Sequence, residues 1–126
     1  MVDADARPRR QGVSLLILGD GQEPDPRFSL ANERTFLAWV RTSLALFAGG
    51  VGLEAFAGEA FPQGTRTALV AALLGTGMLL AVSATVRWAQ IERAMRQDRP
   101  LPLPWIGAVL AFGVAIALGV FVGHLL

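Results

Sequence analysis

Four arginines and two glutamates are the residues whose type and spacing could do chemistry in this chain. Arg34, Arg41, Arg87 and Arg93 stand in or beside long apolar stretches, with Glu33 and Glu92 next to them. A guanidinium carries planar, paired N–H donors that match the oxygens of a phosphate or carboxylate. The chemistry expected is recognition of an anion, either a soluble phosphate-like ion or a lipid headgroup. Antiparallel packing of the segments that carry them predicts a cluster of these four cations against Glu33 and Glu92. The excess positive charge would be neutralised by the anion. A salt-bridge belt that contacts lipid phosphate is the structural alternative.

Arg41 is the most informative of the six, because it lies inside an apolar run. It follows Arg34 by seven residues, so the two side chains differ by only about 20° in azimuth and stand about 10 Å apart along a helix. An arginine near the membrane centre costs about 2.5–3.5 kcal/mol on insertion scales. Two readings stay open: a snorkelling or salt-bridged residue that fixes helix depth, and a guanidinium offered to an anion inside a protein interior.

Other chemistry has little support. There is no cysteine, which removes disulfides, thiolate metal sites and thiol nucleophiles. His124, the single histidine, reads as an interfacial residue at the end of an apolar run, and Glu54 and Glu59 read as solvated. No metal cluster, phosphate loop or nucleophile elbow is present in the sequence pattern. The expectation is a protein with no cofactor, no metal and no enzymatic activity. Net charge is +1, which is no footprint for nucleic acid. All eleven basic residues are arginines; a composition bias and a need for bidentate contacts both account for that.

The elements that position these residues follow from charge distribution. Of the 21 charged residues, eleven lie in residues 1–34, four in 35–86, six in 87–99 and none in 100–126. Hydrophobic residues make up 53% of the 126-residue chain. A soluble domain of this size needs polar surface all round, so the pattern indicates a membrane protein. Between Arg34 and Glu54 a single charge occurs, and between Arg66 and Arg87 none. With residues 105–126 these runs would span about 28, 30 and 33 Å as helices, matching a hydrocarbon core of about 30 Å. The runs are continuously apolar rather than alternating, which argues against strands.

The fold class expected is therefore all-α integral membrane, with three transmembrane helices over about residues 30–57, 65–97 and 104–126. Residues 28–126 form the membrane domain, and residues 1–27 a polar cytosolic tail, disordered in the main. Within the tail, Val13–Leu18 has three readings: a short strand, a segment on a headgroup surface, or an apolar patch. Arginines flank the first helix and fill the second loop, so the positive-inside bias places both in the cytosol and the C-terminus outside. Trp39, Trp88 and Trp105 would then anchor at the same cytosolic interface.

Small residues suggest where helices meet. Arg34, Ala38, Arg41, Ala45 and Ala48 share one face of the first helix, with Gly49 and Gly52 beside it, the pattern of a packing seam. Gly75, Gly77, Gly107, Gly113, Gly119 and Gly123 predict further close contacts, the last two as a GxxxG pair. The second helix is expected to continue past the membrane. Trp88, Ile91 and Met95 give it an apolar stripe there, and Glu92 with Arg96 a favourable i,i+4 pair.

The run Asp25-Pro26-Arg27, followed by Leu30-Ala31-Asn32-Glu33-Arg34-Thr35-Phe36-Leu37-Ala38-Trp39-Val40-Arg41-Thr42-Ser43-Leu44-Ala45, resembles the YidH-like family of small bacterial inner-membrane proteins (domain of unknown function 202). The resemblance continues through Arg87-Trp88, Ile91-Glu92-Arg93-Ala94 and Pro100-Leu101-Pro102. It implies three transmembrane helices in the inner membrane with a cytosolic N-terminus. Asn32-Glu33-Arg34-Thr35-Phe36-Leu37 is also similar to the membrane domain of the vacuolar transporter chaperone, an oligomeric polyphosphate-synthesising complex. That similarity implies path-lining roles for Arg34 and Arg87, with Arg41 a further one. The chain carries no polymerase or phosphate-sensing domain, so synthesis is not implied.

Two functions are expected to compete. One is a homo-oligomer that binds or conducts an anion through an arginine-lined vestibule. The other is an accessory membrane subunit whose arginines bind headgroups and whose helices dock another small membrane protein.

Overall fold

The computed structural model describes residues 13–19 and 21–126. Four helices follow in order: α1 (Val13–Leu18), α2 (Pro26–Phe56), α3 (Gln63–Arg96) and α4 (Ile106–Leu125). Among the described residues every regular element is a helix. α2, α3 and α4 are long and apolar enough to cross a membrane. A bilayer core offers no water to backbone N–H and C=O groups, so each span closes its own hydrogen bonds.

α2 begins at Pro26, several residues before the expected start. The reason is a cap: Asp25 Oδ1 accepts the Arg27 N–H at 2.9 Å, and Pro26 takes a first-turn position where no N–H is needed. α3 ends on Gln97 and Asp98, the latter at φ 53°, with the Arg99 N–H reaching back to Ala94 O. This left-handed stop closes the last turn. Over 31 and 34 residues α2 and α3 reach about 47 and 51 Å, beyond a core of about 30 Å. Both therefore extend as a pair past the bilayer core, at the end rich in arginine.

α3 is the central helix and packs antiparallel against both α2 and α4. Leu80, Ala84 and Ile106 form a small buried core, flanked by Phe36, Trp39, Leu46 and Leu110. At the opposite end, Glu54 pairs with Arg66 at 3.5 Å, and Arg66 also donates to Gly58 O and Gln63 Oε1. Glu54 is therefore not simply solvated; the hairpin folds its one arginine onto it.

The seam between α2 and α3 lies on a different face of α2 from the small-residue stripe. It is made by Ser29, Asn32, Phe36, Trp39, Ser43, Leu46, Gly50 and Leu53, all buried or half-buried. These alternate at three and four residues, the spacing of a left-handed helix pair. Ser43 Oγ donates to Gly77 O at 2.6 Å, and a Cβ on Gly50 would run into Leu74. The Arg34, Ala38, Arg41, Ala45 and Ala48 face is exposed instead. Arg41 stands nine residues from both Asn32 and Gly50, about 180° round the helix from the seam. Small size alone did not choose the face, because Phe36, Trp39 and Leu46 bury more area than alanines can.

Two of the six glycines expected at contacts are at one. A Cβ on Gly77 would sit 3.1 Å from Ser43 O, and one on Gly113 would overlap Thr76. Gly75, Gly107, Gly119 and Gly123 have nothing within 4 Å. Thr76 is buried and its hydroxyl is held by Ala72 O at 2.7 Å, so it cannot turn away. Gly113→Ala is expected to lower the thermal midpoint in detergent, at a cost of about 1–3 kcal/mol for overpacking. Gly107→Ala should leave the midpoint unchanged or raise it. Equal behaviour of the two variants would contradict the α3–α4 crossing.

Candidate functional site

The arginine-rich end is assembled from the first turns of α2, the last turns of α3, the linker into α4, and α1. The Asp25 cap fixes where α2 starts. Packing of α2 on α3 turns Ser29 and Asn32 toward α3 and leaves Arg27, Arg34 and Arg41 exposed.

On the inner side lies a buried polar clamp. Glu92 is only 7% exposed. Its Oε1 accepts the Ser29 hydroxyl at 2.9 Å, and its Oε2 accepts Asn32 Nδ2 at 3.5 Å. The same Asn32 amide donates to Trp88 O at 3.2 Å. The carboxylate is thus held by neutral donors from the opposite helix. The expected Glu92–Arg96 pair does not form, because burial of Glu92 in the seam points it across to α2. Arg96 Nε is itself buried with no hydrogen-bond partner among the described residues.

The four candidate arginines are not brought together. Arg87 Nη1 donates to Leu103 O at 2.6 Å and pins the proline-rich linker. Arg93 Nε donates to Ile17 O at 2.8 Å and holds α1. The Gln22 N–H adds a bond to Arg96 O at 3.2 Å. Val13–Leu18 is therefore a helix docked on α3, not a strand and not a loose patch; of the tail expected to be disordered over residues 1–27, residues 1–12 and 20 lie outside the described residues. Arg34 and Arg41 are exposed, and neither they nor Glu33 make a hydrogen bond or ion pair among the described residues.

The three tryptophans lie at this same end. Trp88 meets Phe36 with ring centroids 6.1 Å apart. Trp39 packs on the small core, and Trp105 caps α4 with 40% exposure. Trp39, Trp88, Asn32, Arg87 and Ile106 line a half-open cleft of about 10 Å³. That volume holds about one water, so a phosphate does not fit in this cleft between the arginine-rich ends of α2 and α3. No cluster of three metal-ligating side chains occurs among the described residues.

Sequence reasoning overlooked Ser29, Asn32 and Arg27. Asn32 and Ser29 are signalled only by their registry with the inner seam. Arg27 was legible: it precedes Arg34 by seven residues, as Arg34 precedes Arg41, so all three exposed side chains share the outer face. What the arrangement can do chemically sits on that face, where Arg34 and Arg41 have free donors.

The family described as Domain of unknown function (DUF202) matches residues 27–94. That range holds the clamp, the seam and all four candidate arginines. The chain is 44% identical over 94 residues to an uncharacterized protein of Mycobacterium tuberculosis (strain H37Rv), covering 75% of this chain and 77% of that protein. It is 46% identical over 82 residues to the inner membrane protein YidH of Escherichia coli (strain K12), covering 65% of this chain and 71% of that protein. No solved structure matches the chain.

Removing the Glu92 carboxylate leaves Ser29 and Asn32 with unmatched donors in a buried site. Glu92→Ala is expected to destabilise the paired extension by about 1–3 kcal/mol, read as a lower thermal midpoint and faster proteolysis near residue 96. Glu33→Ala, at an exposed position, should change neither in dilute detergent. A silent Glu92→Ala would mean that the clamp carries no weight.

Proposed function

The chain belongs to the DUF202 family, and from that membership and the geometry we propose a multi-pass inner-membrane protein that holds a phosphate-type anion on the outer face of α2. The observation that carries the reading is the division of labour among the arginines. Arg87 and Arg93 are engaged by backbone carbonyls. Arg34 and Arg41 share one face, are exposed, and have no protein partner among the described residues.

The inner-membrane setting is supported by the name of the relative YidH and by three helices of spanning length. The positive-inside bias puts the arginine-rich end in the cytosol. Arg66, at the other end, is neutralised by Glu54. Arg34 then stands at headgroup level and Arg41 about 10 Å deeper. Charge-assisted hydrogen bonds to a phosphate oxyanion are worth about 1.5–3 kcal/mol each, enough to hold Arg41 at that depth. The ligand chemistry is shared by a lipid phosphate and a free one, so the experiment has to separate the sources.

In nanodiscs of neutral lipid, the protein is expected to bind inorganic phosphate or pyrophosphate by calorimetry. The Arg34→Ala/Arg41→Ala variant should weaken binding about tenfold or more, the equivalent of one lost charge-assisted bond. Arg93→Ala should not. If the ions do not bind but anionic lipid co-purifies in an Arg41-dependent amount, the ligand is the headgroup. Loss of neither signal in the double variant overturns the reading.

A further inference from the structure

We infer that the outer face of α2 is the interface with a second copy of this chain, and that Arg34 and Arg41 form their site only across that interface. α2 carries two seams of the same period. The inner one packs on α3, as described. The outer one runs Arg27, Leu30, Arg34, Leu37, Arg41, Leu44, Ala48, Val51 and Ala55, again alternating at three and four residues. Every residue of it is exposed, with Leu30 at 57%, Leu37 at 53%, Leu44 at 64% and Val51 at 52%. In heptad terms the arginines and alanines take the a positions and the large aliphatic residues the d positions.

The occupant follows from symmetry and charge. The arginine bias gives every copy the same orientation, so in a two-fold dimer about an axis along the membrane normal the α2 helices run parallel and in register. Parallel, in-register helices are what an a/d seam requires. In knobs-into-holes packing an a residue inserts among the a residue, the preceding d and g, and the following d of the facing helix. For Arg34 that hole is Leu30, Glu33, Arg34 and Leu37 of the second copy. Glu33 is exposed and has no ion-pair partner within its own described chain. It sits at g, where it meets the Arg34 of the neighbour. The flanking positions Ala31, Ala38, Ala45 and Gly52 admit close approach.

Arg41 differs. Its hole is Leu37, Val40, Arg41 and Leu44 of the second copy, with no acid among them. Two guanidiniums meet there in apolar surroundings, and like charges there are stable only with an anion between them. In this respect the inference rests on the anion reading above, since it places that anion between two copies of Arg41. The Glu33–Arg34 contact and the leucine seam do not depend on it.

The absence of native cysteine makes the test direct. Single cysteines are placed at Leu30, Leu37 and Leu44, and at two controls, Thr35 on the flank of α2 and Phe112 on α4. The full chain is oxidised in native membranes and dimer is read on gels. Disulfides require Cβ atoms within about 4.5 Å, so the three seam positions should cross-link several-fold more than either control. Glu33→Arg in the Leu37→Cys background should reduce the yield several-fold, and adding Arg34→Glu should restore it. Equal yields at seam and control positions, or none anywhere, overturn the interface. A charge swap without effect overturns the Glu33–Arg34 contact. If cross-linking keeps the seven-residue pattern while phosphate and headgroup binding both fail, the interface stands and the anion reading falls.

Discussion

The interdigitation of α2 with α3 determines the direction of every other functional group in this protein. A helix has one circumference, and the face that carries Phe36, Trp39, Ser43 and Leu46 is fixed against α3. The opposite face then presents Arg34 and Arg41 outward. The seam is apolar over most of its length and polar at two depths. Ser43 reaches the Gly77 carbonyl in the middle. Ser29 and Asn32 reach Glu92 at the arginine-rich end. Polar links of this kind are worth little individually in a membrane, but they discriminate between registers, because a one-turn slip leaves a buried carboxylate without donors.

The arginines illustrate how one residue type takes different work from its place in the fold. Arg66 closes the hairpin on Glu54. Arg87 and Arg93 each meet a carbonyl outside regular hydrogen bonding, and so tie the α4 linker and α1 to the central helix. A guanidinium suits this task because its fixed fork of donors serves carbonyls that no helix satisfies. Arg34 and Arg41 are exposed and make no hydrogen bond or ion pair among the described residues. The buried core of Leu80, Ala84 and Ile106 is small, in keeping with a protein whose remaining apolar surface meets lipid or another protein.

Much of this was legible in the residues, and the exceptions have physical causes. Three spans, the hairpin, the polar extension of α3 and the shared end of the tryptophans follow from hydropathy, proline and glycine positions, and charge. Val13–Leu18 was ambiguous because six residues are too few for a periodicity to declare itself; its docking depends on Arg93 and Arg96, far away in sequence. α2 has two faces with the same heptad spacing, and period alone does not say which of them meets α3. The Glu92–Arg96 pair was a local expectation overridden by a tertiary partner.

What the sequence by itself determined is the class, the number of spans and their likeness to a family, since the cost of placing charge or open backbone in a bilayer is large and local. What only the tertiary structure decided is azimuth: which side of α2 meets α3, where Glu92 finds its donors, and that Arg41 faces out. Rotating a helix about its axis changes no length and no composition. It changes only which side chains are removed from their surroundings together, and that is a property of the packed pair.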